Sequence, residues 1–157
     1  MRRAAREPAA VYAQGLVLDA SVTMAWFFPD EATTFTEGLL ESLGTRPIWV
    51  PSLWLAECAN VLQSAARRGR IPAERRLEIA AELAALPVSV DPEWPSVVQL
   101  DQLAADHALS AYDATYLELA RRRKLPLATM DRALRVAARR AGIPLMSHDE
   151  TGRAGRD

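Results

Sequence analysis

Four carboxylates of this chain lie where short apolar segments give way to helical patterns. Asp19 follows the apolar run that begins at Leu16, and Asp131 follows the run LATM. Glu57 comes early in a helical pattern after another apolar run, and Asp113 lies in the first turn of a further one. The carboxyl ends of parallel strands share one edge of an open sheet, where such folds bind ligands. We therefore expect the four side chains to lie near one another.

Clustered carboxylates need a positive charge close by. Two of them about 4 Å apart repel by roughly 4 kcal/mol at an effective dielectric constant of 20. A set of oxygen ligands selects hard cations such as Mg²⁺ or Mn²⁺. Acids also favour helix N-termini, by about 0.3 to 1 kcal/mol, so Asp113 and Asp131 taken singly are explained by capping. Capping does not require that Asp19 and Asp131 both follow apolar strands, and this coincidence favours a shared site.

Two hydroxyl residues accompany these acids. Ser21 and Thr129 lie two residues from Asp19 and Asp131, close enough to hydrogen-bond to a water or a phosphate oxygen at the site. Each also has a simpler interpretation, in which Ser21 caps a helix and Thr129 is a strand residue.

Other kinds of site find little support in the sequence. His107 and His148 are far apart and are expected at the surface, so no zinc pattern is present. The single cysteine, Cys58, excludes an intramolecular disulfide, fits a reducing compartment, and is expected to be buried as a small apolar residue. Ser110 lies three residues after His107 but lacks an orienting acid, which argues against a serine hydrolase.

Short apolar runs alternate with amphipathic patterns along the chain. This alternation predicts an α/β fold, a three-layer α/β/α sandwich with a central parallel sheet. The predicted strands are residues 16–19, 48–53, 88–90, 126–130 and 143–146. The predicted helices are one that Ser21 caps and that carries Met24, Trp26 and Phe27, then 31–43, one ending at Gly69, 72–85, 94–107, 110–123 and 131–142.

The length of 157 residues predicts one domain, over residues 15–147. Residues 1–14 are expected to form a flexible N-terminal extension and residues 148–157 a disordered C-terminal tail. No apolar run approaches the ~20 residues that span a bilayer, so we expect a cytoplasmic protein without membrane contact. The formal charge of −1 means that any nucleic-acid contact must be local.

Four segments together resemble the signature segments of PIN-domain ribonucleases, in particular VapC-like toxins of bacterial toxin-antitoxin pairs. They are VLDASVTMAWFFPDE, PSLWLAECANVL, SAYDATYLELA and LPLATMDRAL, in the family's order and at compatible spacing. The resemblance spans about residues 15 to 146.

This resemblance implies Mg²⁺- or Mn²⁺-dependent hydrolysis of RNA phosphodiester bonds by an acidic quartet, Asp19, Glu57, Asp113 and Asp131. Thr129 matches the family's small hydroxyl or acidic position, and Asn60 matches an asparagine that often follows the glutamate. We assign Asp19 and Asp131 as direct or water-mediated metal ligands, Asp113 as a ligand or a water-orienting base, and Glu57 as a ligand through water. The resemblance also implies a homodimer and a cognate antitoxin, with its groove in the Trp-, Phe- and Leu-rich first half.

Two alternatives remain. A catalytically idle PIN-like binding module would share the fold, although all four acids are retained. A phosphoaspartyl hydrolase or receiver domain also places acids at this edge, but Ser21 stands where such a hydrolase has a second aspartate. A receiver domain needs a lysine after a late strand, whereas the only lysine of this chain, Lys124, precedes one. Most of the arginine clusters close helices, where a cation complements the helix dipole, so they are weak indications of RNA binding.

Overall fold

The computed structural model describes residues 15–147. The predicted N-terminal extension, the predicted C-terminal tail and His148 lie outside the described residues. Within the described range, no helix combines the length and apolarity needed to cross a bilayer.

A parallel sheet forms the centre of the described part. Its four strands are β1 (Leu16–Leu18), β2 (Ile48–Pro51), β3 (Ser89–Asp91) and β4 (Leu127–Ala128). All neighbours are parallel, and the order across the sheet is β3-β2-β1-β4. The chain therefore moves from β1 outward to β3 and then returns to the other side of β1. This reversal makes the carboxyl ends of β1 and β4 the topological switch point, where open α/β sheets bind ligands.

Seven helices surround the sheet in the described range. They are α1 (Ala20–Ala25), α2 (Thr34–Glu41), α3 (Leu53–Arg67), α4 (Ala73–Ala84), α5 (Val97–His107), α6 (Ala111–Arg123) and α7 (Arg132–Arg140). Helix α1 contacts α2 and α3, and α3 contacts α4. Helix α6 contacts α5 and α7, so these three helices form a second group. Every side chain of β1 is buried, so both faces of the sheet are covered. The predicted three-layer α/β/α fold is confirmed.

Local hydrogen bonds set two helix starts later than predicted. Thr33 and Thr36 form a capping box, which starts α2 three residues after the predicted position. Ser96 and Gln99 form the same motif at the start of α5, also three residues late. In both places the two side chains of the capping box accept hydrogen bonds from backbone N–H groups at the start of the helix.

The predicted strand 143–146 is wrong. Leu145 forms one isolated parallel bridge with Leu127, and the Met146 N–H donates to the Leu127 carbonyl at 3.0 Å. Pro144 has no N–H to donate, so the ladder cannot extend through it. The segment therefore runs beside β4 for one residue pair only.

Ser21 does not cap the first helix, contrary to the prediction. Asp19 is the N-cap residue of α1, and the helix begins at once with Ala20. The Asp19 side chain makes no capping bond, because its Oδ2 accepts hydrogen bonds from Ser21 and Thr129 instead. The strand thus passes directly into the helix, and Ser21 lies inside the helix.

The aromatic residues of the first half lie in the core or pack against it. Trp54 and Phe28 are buried in the core, and Trp26, Phe27 and Trp49 pack against it. Trp26 and Phe27 follow the end of α1 in a turn, although the sequence pattern placed them in the helix.

Cys58 and His107 differ in how well they were predicted. Cys58 is buried, and burial, with smaller contributions from Glu57 and Asp19, raises the pKa of its thiol to about 12. The thiol therefore stays protonated, as expected for a structural cysteine. His107 is half-buried, and its enclosed Nδ1 has no hydrogen-bond partner among the described residues. His107 is therefore partly exposed, with one ring nitrogen enclosed.

A buried carboxylate at the end of β3 fixes the last turn of α6. Asp91 is fully buried, and Arg122 and Arg123 both form ion pairs with it. The Arg123 guanidinium also stacks over the Trp49 ring, 3.3 Å from its centroid. These contacts hold α6 across β2 and β3. Two of the clustered arginines therefore form ion pairs that stabilise the fold.

Candidate active site

Asp19 lies at the topological switch point. It follows β1, is 5% exposed, and accepts two hydrogen bonds on Oδ2, from Ser21 Oγ and from Thr129 Oγ1, each at 2.6 Å. Thr129 follows β4, so its hydroxyl bridges the carboxyl ends of the two strands. Ser21 Oγ in turn accepts the N–H of Met130 at 3.1 Å. Both hydroxyl residues singled out in the sequence therefore hold Asp19 in place.

Burial is the main reason why the pKa of Asp19 is raised. The hydrogen bonds from Ser21 and Thr129 act in the opposite direction, and the charges of Asp113 and Asp131 raise the pKa further. The charged form of Asp19 is therefore held at a cost that a nearby cation would offset.

Asp113 is half-buried in the first turn of α6. Ser110, the N-cap residue, donates its hydroxyl to Asp113 Oδ2 at 2.8 Å and accepts the Asp113 N–H at 3.0 Å. Burial chiefly raises the pKa of Asp113, the Ser110 hydrogen bond lowers it, and the charge of Asp131 adds to the rise.

Asp131 is the N-cap residue of α7. Its Oδ1 accepts the Leu134 N–H at 2.7 Å, and its own N–H donates to Thr129 Oγ1 at 3.0 Å. Thr129 is thus bonded to both Asp19 and Asp131. The capping interpretation of Asp131 is correct, and the same residue also contributes to the charge at the switch point.

Glu57 reaches the site from α3. It is half-buried, and the Tyr116 hydroxyl donates a hydrogen bond to its Oε2. Burial is the largest influence that raises the pKa of Glu57, the Tyr116 hydrogen bond lowers it, and the charges of Asp19 and Asp113 raise it. Asn60, which matches the asparagine that often follows the glutamate in the family, is exposed. In the described part of the chain it makes no hydrogen bond to the four acids.

The four acids share one electrostatic environment. The carboxylates of Asp19, Glu57 and Asp113 each have a pKa raised in part by the charge of another member. The ion pairs between side chains of residues 15–147 lie elsewhere, at Arg70, Arg75, Arg122 and Arg123. A strongly negative site is thus left without a neutralising side chain among these ion pairs.

The chemistry of the donor set fits a hard divalent cation, because every candidate ligand is a carboxylate oxygen. Within residues 15–147, no three His, Cys, Asp or Glu side chains stand close enough to surround one ion. Mg²⁺ usually keeps several waters and takes one or two protein carboxylates. The arrangement therefore fits an ion held by a pair of acids and by water better than one enclosed by protein.

Two residues beside the acids were not predicted from the sequence. Tyr116 stands three residues after Asp113, on the same side of the helix, and this spacing was the available signal. Arg135 donates from Nη1 to the Thr129 carbonyl at 3.2 Å and so lies at the end of β4. Its position four residues after Asp131, one helical turn away, was the available signal.

Comparisons with known proteins agree with this architecture. A sequence model of the PIN domain matches residues 16–150. The crystal structure of PAE2754 from Pyrobaculum aerophilum is 25% identical in sequence, with a TM-score of 0.58 over 81% of this chain and 87% of that one. The crystal structure of FitAcB from Neisseria gonorrhoeae is 15% identical, with a TM-score of 0.61 over 85% and 97%, and shows a similar fold. No curated protein matches the chain.

Proposed function

This chain belongs to the PIN-domain family, and we propose on that basis that it is a Mg²⁺- or Mn²⁺-dependent ribonuclease that acts as the toxin of a toxin-antitoxin pair. Family membership supports nuclease activity. The observation that carries the proposal is the group of acids at the switch point, where Thr129 bonds to both Asp19 and Asp131 and no described ion pair neutralises the carboxylates. A helix-capping function alone does not need such a group.

The proposed direct or water-mediated ligands are Asp19 and Asp131. Asp113 is proposed as a further ligand or as a water-orienting base, and Glu57 as a ligand through water. When bound, a divalent cation supplies positive charge that stabilises the scissile phosphate in the transition state and lowers the pKa of a water. Ser21 and Thr129 orient Asp19 by bonding to its Oδ2, and neither bonds to its Oδ1. Asp113, held by Ser110, is the candidate to orient the attacking water and accept its proton.

Arg135 is the proposed contact to the RNA backbone. Its guanidinium is held at the end of β4 by the Thr129 carbonyl, and it takes part in none of the ion pairs described for residues 15–147. A guanidinium has five N–H donors in a fork that suits a phosphate, and one of them bonds to Thr129. A phosphate next to the scissile one could therefore bind beside the acids.

We further propose that the protein is cytoplasmic, forms a homodimer and is inhibited by a small antitoxin that covers the acids. These proposals rest on the resemblance to VapC-like toxins. The exposed Leu40 and Leu55 lie in the first half, where the antitoxin groove is expected.

The test is RNA cleavage by the purified protein in Mg²⁺, in Mn²⁺ and in chelator. Cleavage is expected with either metal, should be absent in chelator, and should be lost in Asp19→Asn and Asp131→Asn. A protein that binds its antitoxin but cleaves no RNA under any of these conditions would be the idle binding module. A chain that takes up phosphate covalently on Asp19 would instead be a phosphoaspartyl enzyme.

A further inference from the structure

We propose that Tyr116 is a positioning residue for the cation site, because its buried hydroxyl fixes the Glu57 carboxylate beside Asp19 and Asp113. The inference rests on the proposed function, since it concerns the cation that those acids would hold. Nothing in the motif pattern of the acids assigns Tyr116 this role.

The contact is enclosed on the tyrosine side. Tyr116 is 0% exposed, and its hydroxyl donates to Glu57 Oε2. A buried hydroxyl that bonds to a side chain on another helix restricts that side chain to a few rotamers. Glu57 Oε1 takes no part in this bond and can serve as a ligand.

Tyr116 also links Glu57 to the helix that carries Asp113. Residues three apart in a helix are surface neighbours, so Tyr116 and Asp113 lie on adjoining turns of one side of α6. The hydrogen bond therefore sets the position of the Glu57 carboxylate relative to Asp113.

A second bond fixes α3 against the strand end that carries Asp19. The Trp54 indole N–H donates to Thr23 Oγ1 at 3.1 Å, and Thr23 Oγ1 donates to the Asp19 carbonyl at 3.3 Å. Trp54 and Glu57 are three residues apart on α3. One side of α3 is thus tied both to the backbone of Asp19 and, through Tyr116, to α6.

Such restraint matters because glutamate is long and flexible. Ordering a free glutamate side chain costs conformational entropy, which a preformed rotamer avoids at the moment of binding. Removing an outer partner that orients a metal ligand typically changes metal affinity or activity by about 10- to 100-fold.

The simpler interpretation is that the buried hydroxyl of Tyr116 needs some acceptor and Glu57 supplies one. That interpretation predicts a change in stability but none in cation affinity.

The experiment measures Mn²⁺ binding to the metal-free full chain by titration calorimetry, with the melting temperature recorded alongside. Tyr116→Phe keeps the ring and removes the hydroxyl, and we expect about tenfold weaker binding or more. Tyr112→Phe is the matched control, because it removes the same group from an exposed tyrosine on α6. It should bind Mn²⁺ as the parent does.

A Glu57→Ala background separates positioning from general damage to the fold. There Tyr116→Phe should have no further effect on Mn²⁺ affinity, because the side chain that it positions is gone. Tyr116→Phe that binds within about twofold of the parent, or that weakens binding equally in both backgrounds, would overturn the inference. If Tyr116→Phe does not fold, Glu57→Asp, which shortens the side chain away from Tyr116, must weaken binding by a similar factor or the inference fails.

The outcomes also distinguish this inference from the proposed function. A parent protein that binds Mn²⁺ with the expected dependence on Tyr116 but cleaves no RNA would refute the ribonuclease and leave the positioning role standing. A parent that binds no Mn²⁺ would refute both.

Discussion

Asp113 and Asp131 show that one carboxylate can serve the fold and a site at the same time. Asp131 caps α7 through Oδ1, and Asp113 bonds to the hydroxyl that caps α6. The charge of each also raises the pKa of Asp19. Helix capping and cation binding were alternatives in the sequence, but the geometry allows both, because a capping bond engages only one oxygen of the carboxylate.

Asp113→Asn should abolish RNA cleavage and leave the metal-free protein as stable as the parent or more stable. The amide keeps an oxygen that can accept the Ser110 hydroxyl, while the substitution removes one charge from a repelling group. Denaturant melts in chelator and cleavage assays in Mg²⁺ measure the two effects. Asp101→Asn, the same change at an exposed position of α5, should alter neither. A destabilised but active Asp113→Asn protein would remove Asp113 from the site.

Arg135→Gln should weaken RNA binding at low salt and lower the salt dependence of binding by about one phosphate contact. The expected cause is the loss of one guanidinium beside the acids. Binding is measured in Ca²⁺ or chelator over a series of salt concentrations. Arg140→Gln, at the exposed far end of the same helix, is the control for the change of charge. Equal effects of the two variants would mean that Arg135 contributes only general charge.

At the scale of elements, the site depends on how firmly α6 lies across the sheet. Its first turn carries Asp113, and its last turn is held by Asp91 at the end of β3. Asp91 is not one of the proposed catalytic residues, yet it fixes the helix that delivers one of them.

Asp91→Asn should lower the free energy of unfolding by about 2 to 3 kcal/mol at pH 7, because it removes the charge that pairs with Arg122 and Arg123 and replaces one acceptor oxygen by an NH2 group. Burial is the largest single influence on the pKa of Asp91 and would raise it, but the hydrogen bonds from Arg123 and Arg122 outweigh burial and leave the pKa lowered. The stabilisation is therefore present above the unfolded pKa of about 3.9 and is lost as pH falls through the lower folded value.

Denaturant melts between pH 2 and pH 7 measure this effect. The parent should lose stability more steeply below about pH 4 than Asp91→Asn does. Asp30→Asn, which alters the exposed ion pair with Arg70, should change the curve little. Parallel acid curves for the parent and Asp91→Asn would show that Asp91 contributes no linked stability.

Gly15→Ala should destabilise the fold by about 2 kcal/mol or more. Gly15 has φ +113°, and an added Cβ would lie 2.5 Å from the Pro47 carbonyl oxygen, where β1 enters beside β2. Gly142→Ala is the control, because Gly142 has φ +69° and open space around it. That substitution introduces backbone strain but no close contact. Thermal melts of both variants give the comparison. An equal loss would mean that the close approach to Pro47 is relieved at no cost.

At the scale of the whole molecule, the charge is nearly balanced and unevenly placed. The formal charge is −1, so RNA would not be attracted by an overall positive field. The carboxylates of the proposed site lie at one edge of the sheet, where their negative charge would repel RNA unless a cation is bound. Metal binding is therefore expected to control both folding stability and access of substrate.

Mg²⁺ or Mn²⁺ should raise the melting temperature of the metal-free protein, because a ligand that binds only the folded state stabilises it. At 100 times the dissociation constant the gain is about 2.7 kcal/mol. Differential scanning fluorimetry across a metal series measures it, and Asp19→Asn should reduce the shift. An unchanged melting curve at millimolar metal would contradict a cation site at these acids.

The sequence alone was sufficient for the fold class and the order of most elements, and it supplied the four acids that are proposed as the site. Apolar periodicity identifies strands and helices, because burial of one face or both leaves a local pattern. The prediction failed where side chains or proline decide an end. Thr33 and Ser96 delay their helices, and Pro144 reduces the expected last strand to one bridge.

Only the tertiary structure decided which residues meet. Thr129 bonds to Asp19 across 110 residues, Tyr116 to Glu57 across 59, and Arg123 to Asp91 across 32. No periodicity records these pairs, because they depend on the return of β4 to the far side of β1 and on the angle at which α6 crosses the sheet. Local patterning determines what each segment becomes, whereas strand order and packing determine which side chains it meets.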